Sequence, residues 1–261
     1  MRSGWNPTRR NKNIGTKAQG HNSNNKMVIP ESWHSWQRYW ENLTSYVLVK
    51  RMIGHKKQLF FVEPTRLGWF YSCTIDDIVA VLKHCKVDDI NSFDFIVLRQ
   101  PTRKQRIISP VWGRAQYAIN IDGLRGSAII IEAQSLEDFS WNKSLAPEKL
   151  KELERLKKDG HSITTTRRNI IISSSITSIR NTVLFRTLWH EIGHHIDYCR
   201  TGDDKWDEKT HMEKENYADR YADEQYQLLS LKHIIPFEPI IDKTSLKDDA
   251  LKLEWFVPIV L

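Results

Sequence analysis

The chain has 261 residues and a formal net charge of +7, from 39 lysines and arginines against 32 aspartates and glutamates; that length is enough to bury a real core in one or two domains. Hydrophobic residues at 40% and charged residues at 27% speak against wholesale disorder, and no apolar run nears the ~18 residues of a membrane-spanning helix, so no membrane partner is expected. Three cysteines, Cys73, Cys85 and Cys199, lack CxxC spacing, which makes a disulfide framework a poor reading and points to a reducing, cytoplasmic compartment.

Residues 1–30 are rich in Asn, Gly, Thr and Lys with almost no aliphatic residue, a composition expected to stay disordered. Arg2, Arg9, Arg10, Lys12, Lys17 and Lys26 carry most of the net charge. Such a tail either keeps the chain in solution or acts as an arm for nucleic acid or an acidic protein. It lacks the apolar centre of a secretory signal. Trp33, Trp36, Trp40, Leu43 and Val47 then recur at helical spacing, which reads as an amphipathic helix from about Ser32 whose aromatic stripe is core. A short strand follows at residues 58–62, and Thr74 with Asp77 makes a capping-box-like start for a helix through Ile75, Ile78, Val79 and Leu82.

The middle of the chain reads as β-rich: a strand at residues 93–98, then strands at 117–121 and 128–131 joined as a hairpin around Asp122-Gly123. Between them Arg99, Arg103, Lys104, Arg106 and Arg114 form a basic loop, a second candidate anion-binding surface or simply a solvated one. Pro147 opens a charged helix that stops at Gly160. Residues 169–176 read as a strand.

The chemistry concentrates at His190-Glu191-Ile192-Gly193-His194, inside a helical stretch. Histidines four apart on a helix stand one turn above each other and can hold one zinc ion, and Glu191, about 100° round, can reach a water bound to that ion. Leu184, Phe185, Leu188, Ile192, Ile196 and Cys199 fall on the opposite side, so one face is expected to be core and the other site. His195 is expected to point away from the ion. A third ligand is needed. Glu215, on a second helix, is one candidate; Asp219, one turn further on, could accept the free N–H of a zinc-bound histidine. Ala218 and Ala222 on nearly the same face would let the two helices approach closely. The rival ligand is His211, which would give a three-histidine site like that of SprT-like DNA-associated proteases. Asp197 is a further expected partner for a metal-bound histidine.

With these residues the sequence resembles the zincin superfamily of metallopeptidases, and within it the Glu-zincins, in which HExxH is followed by a helix bearing Glu and then Ala-Asp or Ala-Asn. Residues 215–222 also resemble the ExxAN-x-FA pattern of ImmA/IrrE-type intracellular peptidases, with Asp219 for Asn and Tyr221 for Phe. The resemblance covers roughly residues 165–230. It implies an α+β fold: a zincin-like metallopeptidase domain at 111–261, with a twisted mixed sheet packed on the HExxH helix and a second ligand helix. An α/β portion at 31–110 and the disordered basic tail at 1–30 precede it. In such a fold an edge strand borders the cleft and binds substrate as an added strand, a part that residues 169–176 or the 117–131 hairpin could play.

The implied activity is hydrolysis of a protein or peptide substrate with one Zn2+ per chain, Glu191 acting as general base. Tyr217, Tyr221, Arg180 and His161 are the candidate donors to the developing oxyanion. The competing class is a nucleic-acid-associated protein, either an SprT-like protease or a zinc-stabilised binding module, working through the tail and the basic loop. Glu191 favours catalysis, because a structural zinc site has no use for a glutamate beside its first histidine.

Overall fold

The computed structural model describes residues 43, 45–108 and 110–258. In chain order the elements are β1 (Val47–Ile53), β2 (Lys56–Val62), β3 (Trp69–Phe70), α1 (Ile75–Leu82), α2 (Val87–Ile90), β4 (Phe95–Arg99), α3 (Arg103–Ile108), β5 (Gly113–Ile121), β6 (Leu124–Glu132), β7 (Gln134–Ser135) and β8 (Phe139–Asn142). There follow α4 (Pro147–Asp159), β9 (Ser162–Thr165), β10 (Asn169–Ser173), α5 (Ile176–Thr182), a π-helical turn (Val183–Thr187), α6 (Leu188–Thr201), α7 (Asp203–Glu208), α8 (His211–Leu231) and α9 (Lys243–Asp248). The protein is thus a mixed α+β chain, and among the described residues no helix is long and apolar enough to cross a membrane.

A five-stranded mixed sheet runs in the order β1-β2-β4-β6-β5, with β2, β4 and β6 parallel and the outer strands antiparallel to their neighbours. Side-chain alternation along a strand divides the apolar residues between its faces. Ile96, Leu98, Ile129 and Ile131 face the helices, whereas Phe95, Val97, Ala128 and Ile130 form a second cluster on the other side, where Leu43 and Tyr46 pack. Strands from both sides of residue 110 share this one sheet. A three-stranded sheet, β8-β10-β9, carries α4 through Leu153, Leu156, Ile170 and Ile172.

Local signals act where their chemistry demands. Thr74 accepts from the Asp77 N–H and Asp77 from the Thr74 N–H, closing the capping box of α1. Asp122 and Gly123 turn the β5–β6 hairpin with φ of 49° and 87°. Gly160, at φ 97°, ends the helix that Pro147 begins.

Three expectations need correction. Val47 opens β1 instead of closing a helix, because Val47, Leu48, Val49, Met52 and Ile53 pair with β2 along a full antiparallel register; the rest of that expected helix, apart from Leu43, and the tail at 1–30 lie outside the described residues. Residues 174–176 leave the strand, since Ser175 caps α5 with a box of its own. The basic loop is not one surface. Arg99 is buried in β4 against Glu63, Arg114 in β5 pairs with Glu132 at 3.0 Å, and Arg106 pairs with Glu137 while lying over the Trp69 ring.

Candidate metal centre

α5, the π turn and α6 follow one another directly. Phe185, Leu188, Ile192 and Ile196 are buried in the main hydrophobic core, each burial stabilising by roughly 1.5–3 kcal/mol. Cys199, expected on that face, is exposed at the far end of α6. The π turn stands one turn before the motif, and the Thr187 hydroxyl donates to the Thr182 carbonyl at 2.8 Å, satisfying a backbone acceptor where the helical ladder is interrupted.

α8 crosses α6 at very close range. A Cβ on Gly193 would stand 2.9 Å from the Ala218 Cα and 3.3 Å from its carbonyl oxygen, so only glycine permits this crossing. Thr210 caps α8 through a capping box with Glu213. The approach brings Glu215 to the histidines. His190 Nε2 lies 3.1 Å from His194 Nε2 and 3.4 Å from a Glu215 carboxylate oxygen, and His194 Nε2 lies 3.4 Å from the other. Four ligands at about 2.0–2.1 Å around a tetrahedral zinc are about 3.3–3.4 Å apart. The two imidazole nitrogens are spaced much like one edge of such a tetrahedron, each has a different Glu215 oxygen at that range, and with one donor atom from each residue all within 4.8 Å of one another this trio could hold a metal ion.

Asp219 accepts from His190 Nδ1–H at 3.1 Å, which turns Nε2 toward the trio. Its other oxygen is held at 2.5 Å by Arg155 from α4, a residue the sequence reading missed because nothing local links α4 to α8. Burial acts to raise the pKa of Glu215 and of Asp219, but His190 and His194 in the first case, and His190 and Arg155 in the second, bring both below their ordinary values. Burial acts to lower the pKa of His190, and the two carboxylates outweigh it, raising the value to about 10.

Glu191 is buried, and burial raises its pKa against the opposing pull of His190 and His194. The Ala115 N–H on β5 hydrogen-bonds its carboxylate. Gly113 lets that strand pass: a Cβ there would sit 2.7 Å from Thr187 Cγ2 and 3.3 Å from Glu191 Cγ. A cleft of about 1050 Å³ opens over these groups, walled by β5, β8 and the rings of Trp69, Trp112, Phe139 and Trp141.

His211 reaches Glu215 at 3.6 Å but is 89% exposed and stands outside the trio. His195 points away as expected: it is buried, bonded to the Ala128 carbonyl, and burial lowers its pKa to about 4. Asp197 meets neither ligand histidine; its Oδ1 is taken by Lys209 at 2.6 Å and by Thr201, which ties the end of α6 to the start of α8. All four expected oxyanion donors face elsewhere. Tyr217 accepts from Arg200, Tyr221 donates to the buried Asp89, Arg180 makes a two-pronged bond to Asp77, and His161 is engaged by Ser174 and Thr182. The tyrosines' place on the ligand helix suggested them, but the helix turns Tyr221 to the core and Tyr217 to the far flank.

Comparison of the chain with protein-family models, with curated proteins and with solved structures finds no match.

Proposed function

We propose that the protein is a zinc-dependent peptidase of the zincin type, with His190, His194 and Glu215 as metal ligands and Glu191 as general base. The observation that carries this reading is the cluster of donor atoms from His190, His194 and Glu215, all within 4.8 Å of one another, with a buried carboxylate, Glu191, beside them in an open cleft. Zinc, when bound, supplies a Lewis acid that makes water acidic near neutral pH and polarises a peptide carbonyl.

Glu191 takes the proton of the attacking water and passes it to the leaving amine, and its raised pKa suits a group that must hold a proton between the two steps. The Ala115 N–H keeps that carboxylate aimed. Asp219, itself fixed by Arg155, holds His190 in the tautomer that presents Nε2. β5 is the end strand of its sheet among the described residues and lines the cleft, so a substrate strand can lie along its outer edge.

The nucleic-acid reading is weaker on the described residues, because Arg99, Arg106 and Arg114 already face acidic partners. The test is mass spectrometry of proteins cleaved by the wild type and not by Glu191→Gln. The amide keeps the shape of the base and cannot accept the proton, so zinc should stay and hydrolysis should go. Equal cleavage by the two proteins would end the peptidase reading.

A further inference from the structure

A chain of polar side chains that the zinc chemistry does not use reaches the cleft at Ser174, between β10 and α5. The Ser174 Oγ lies 3.0 Å from Nδ1 of His161, the residue that follows the Gly160 stop of α4. Nε2 of the same ring lies 2.9 Å from the Thr182 hydroxyl, at the end of α5. That hydroxyl lies 2.7 Å from an Asp159 carboxylate oxygen, which the Arg186 Nε–H also holds at 2.9 Å. His161 and Thr182 are buried, and of Ser174, His161, Thr182 and Asp159 only Ser174 lines the cavity.

The bonding order assigns the hydrogens along this chain. A carboxylate only accepts, so Thr182 spends its hydrogen on Asp159 and must accept from His161 Nε2–H. Burial keeps the ring neutral, its pKa below the ordinary 6.5. A neutral imidazole with its hydrogen on Nε2 has a bare lone pair on Nδ1. The Ser178 hydroxyl, 3.4 Å from that nitrogen, donates to the Ser175 carbonyl at 3.0 Å. Ser174 is thus the donor to Nδ1. A hydroxyl that donates to a neutral imidazole, itself oriented on its other nitrogen by a third group, is arranged for nucleophilic attack. Helix capping does not explain Ser174, because Ser175 caps α5.

We propose that Ser174 is a second nucleophile of the cleft, which takes the acyl group of an uncharged, apolar carboxylic ester with His161 as its base. This activity stands apart from the peptidase reading and uses neither zinc nor Glu191. The Ser174 Oγ bonds to the ester carbonyl carbon as its hydrogen passes to Nδ1; the bond to the alkoxy oxygen then breaks, and the alcohol leaves with that proton. Water attacks the acyl-serine in the same way, gives a proton through Nδ1 to the Ser174 Oγ, and releases the acid. An ester is the fitting class, because its alkoxy group leaves more readily than the nitrogen of an amide. The wall sets the acyl preference. The Trp112 ring lies 5.6 Å from the His161 ring and 6.3 Å from that of Phe139. The arginines lining the cleft, Arg106, Arg114, Arg155 and Arg186, already pair with carboxylates.

The probe is an alkyl fluorophosphonate, which phosphonylates an activated serine and loses fluoride. Peptide mapping of the labelled wild type should place the adduct on Ser174. Labelling should slow about a hundredfold in His161→Gln, the usual order for loss of a general base, and about tenfold in Thr182→Val, which keeps the base and removes the group that orients it. Each variant is read at a temperature where its melting curve shows it folded. The rate should hold level from about pH 8 down to 6.5 and drop at lower pH as His161 takes a proton. In the Glu191→Gln background, which silences the zinc route, adding Ser174→Ala should cut hydrolysis of p-nitrophenyl butyrate at least about tenfold. No adduct on Ser174, a wild-type rate in folded His161→Gln or Thr182→Val, or ester hydrolysis unchanged by Ser174→Ala overturns the proposal. So does a labelling rate that climbs about tenfold per pH unit, the behaviour of a hydroxyl without a base.

Discussion

The crossing of α6 and α8 makes Gly193→Ala the most informative single change. The added methyl would stand 2.9 Å from the Ala218 Cα, 3.2 Å from the Tyr221 Cβ and 3.3 Å from the Ala218 carbonyl oxygen. Carbon atoms rest about 3.5–4.0 Å apart, so α8 must retreat by roughly 0.6–1 Å at the turn that separates Glu215 from Asp219. Overpacking of this kind costs about 1–3 kcal/mol. Alanine recovers about 1 kcal/mol of helix propensity relative to glycine, so the net loss of stability is small, and at about 2–4 °C per kcal/mol the melting temperature falls by only a few degrees. Zinc is the sharper readout, because metal–ligand distances tolerate only about 0.2 Å. Competition against a chelator series should show zinc affinity at least about tenfold weaker, about 1.4 kcal/mol. Adding Ala218→Gly should not restore it, since two of the three crowding atoms are the Ala218 Cα and carbonyl oxygen, which glycine keeps. Gly193→Ala with wild-type zinc affinity would refute both the rigid crossing and its role in setting the ligand geometry.

Three further outcomes are expected. Glu215→Ala should lose zinc severely, Asp219→Ala should weaken it about ten- to a hundredfold, and His211→Ala should leave it nearly unchanged; tight zinc in Glu215→Ala with loss in His211→Ala would reverse the ligand assignment. Burial lowers the His161 pKa below its ordinary 6.5, so the neutral ring stabilises the fold above that value and the contribution is lost as pH falls below it. Urea unfolding should accordingly show His161→Gln costing less stability at pH 5 than at pH 7, and an equal or larger cost at pH 5 would contradict the buried neutral imidazole. At pH 8 iodoacetamide should label the exposed Cys199 and spare Cys73, which is buried and whose thiol burial pushes up to about 12; labelling of Cys73 in the folded protein, detected by peptide mapping, would contradict its place in the core.

What the sequence determined by itself is local. The Thr74–Asp77 box, the Asp122-Gly123 turn, and the Pro147 start and Gly160 stop are fixed by contacts within a few residues, so their signatures survive in one dimension. The helical face uniting His190 and His194 follows from a spacing of four, and Ala218 signals the close second helix for the same reason. Tertiary structure decided whatever depends on a distant partner. Val47 follows four residues after Leu43 as a helix would allow, yet pairing with Val62 makes it a strand. Tyr221 and Arg180 are chemically fit to stabilise an oxyanion, but Asp89 and Asp77 claim them first in the core. Gly113 has no sequence signature for its role, because the atoms that forbid a side chain there belong to Thr187 and Glu191, far along the chain. Arg155 reaches Asp219 only because α4 and α8 meet in space. Periodicity and capping act through neighbours in the chain, whereas packing, strand edges and charge pairing act through neighbours in space, and the shape of the cleft belongs wholly to the second kind.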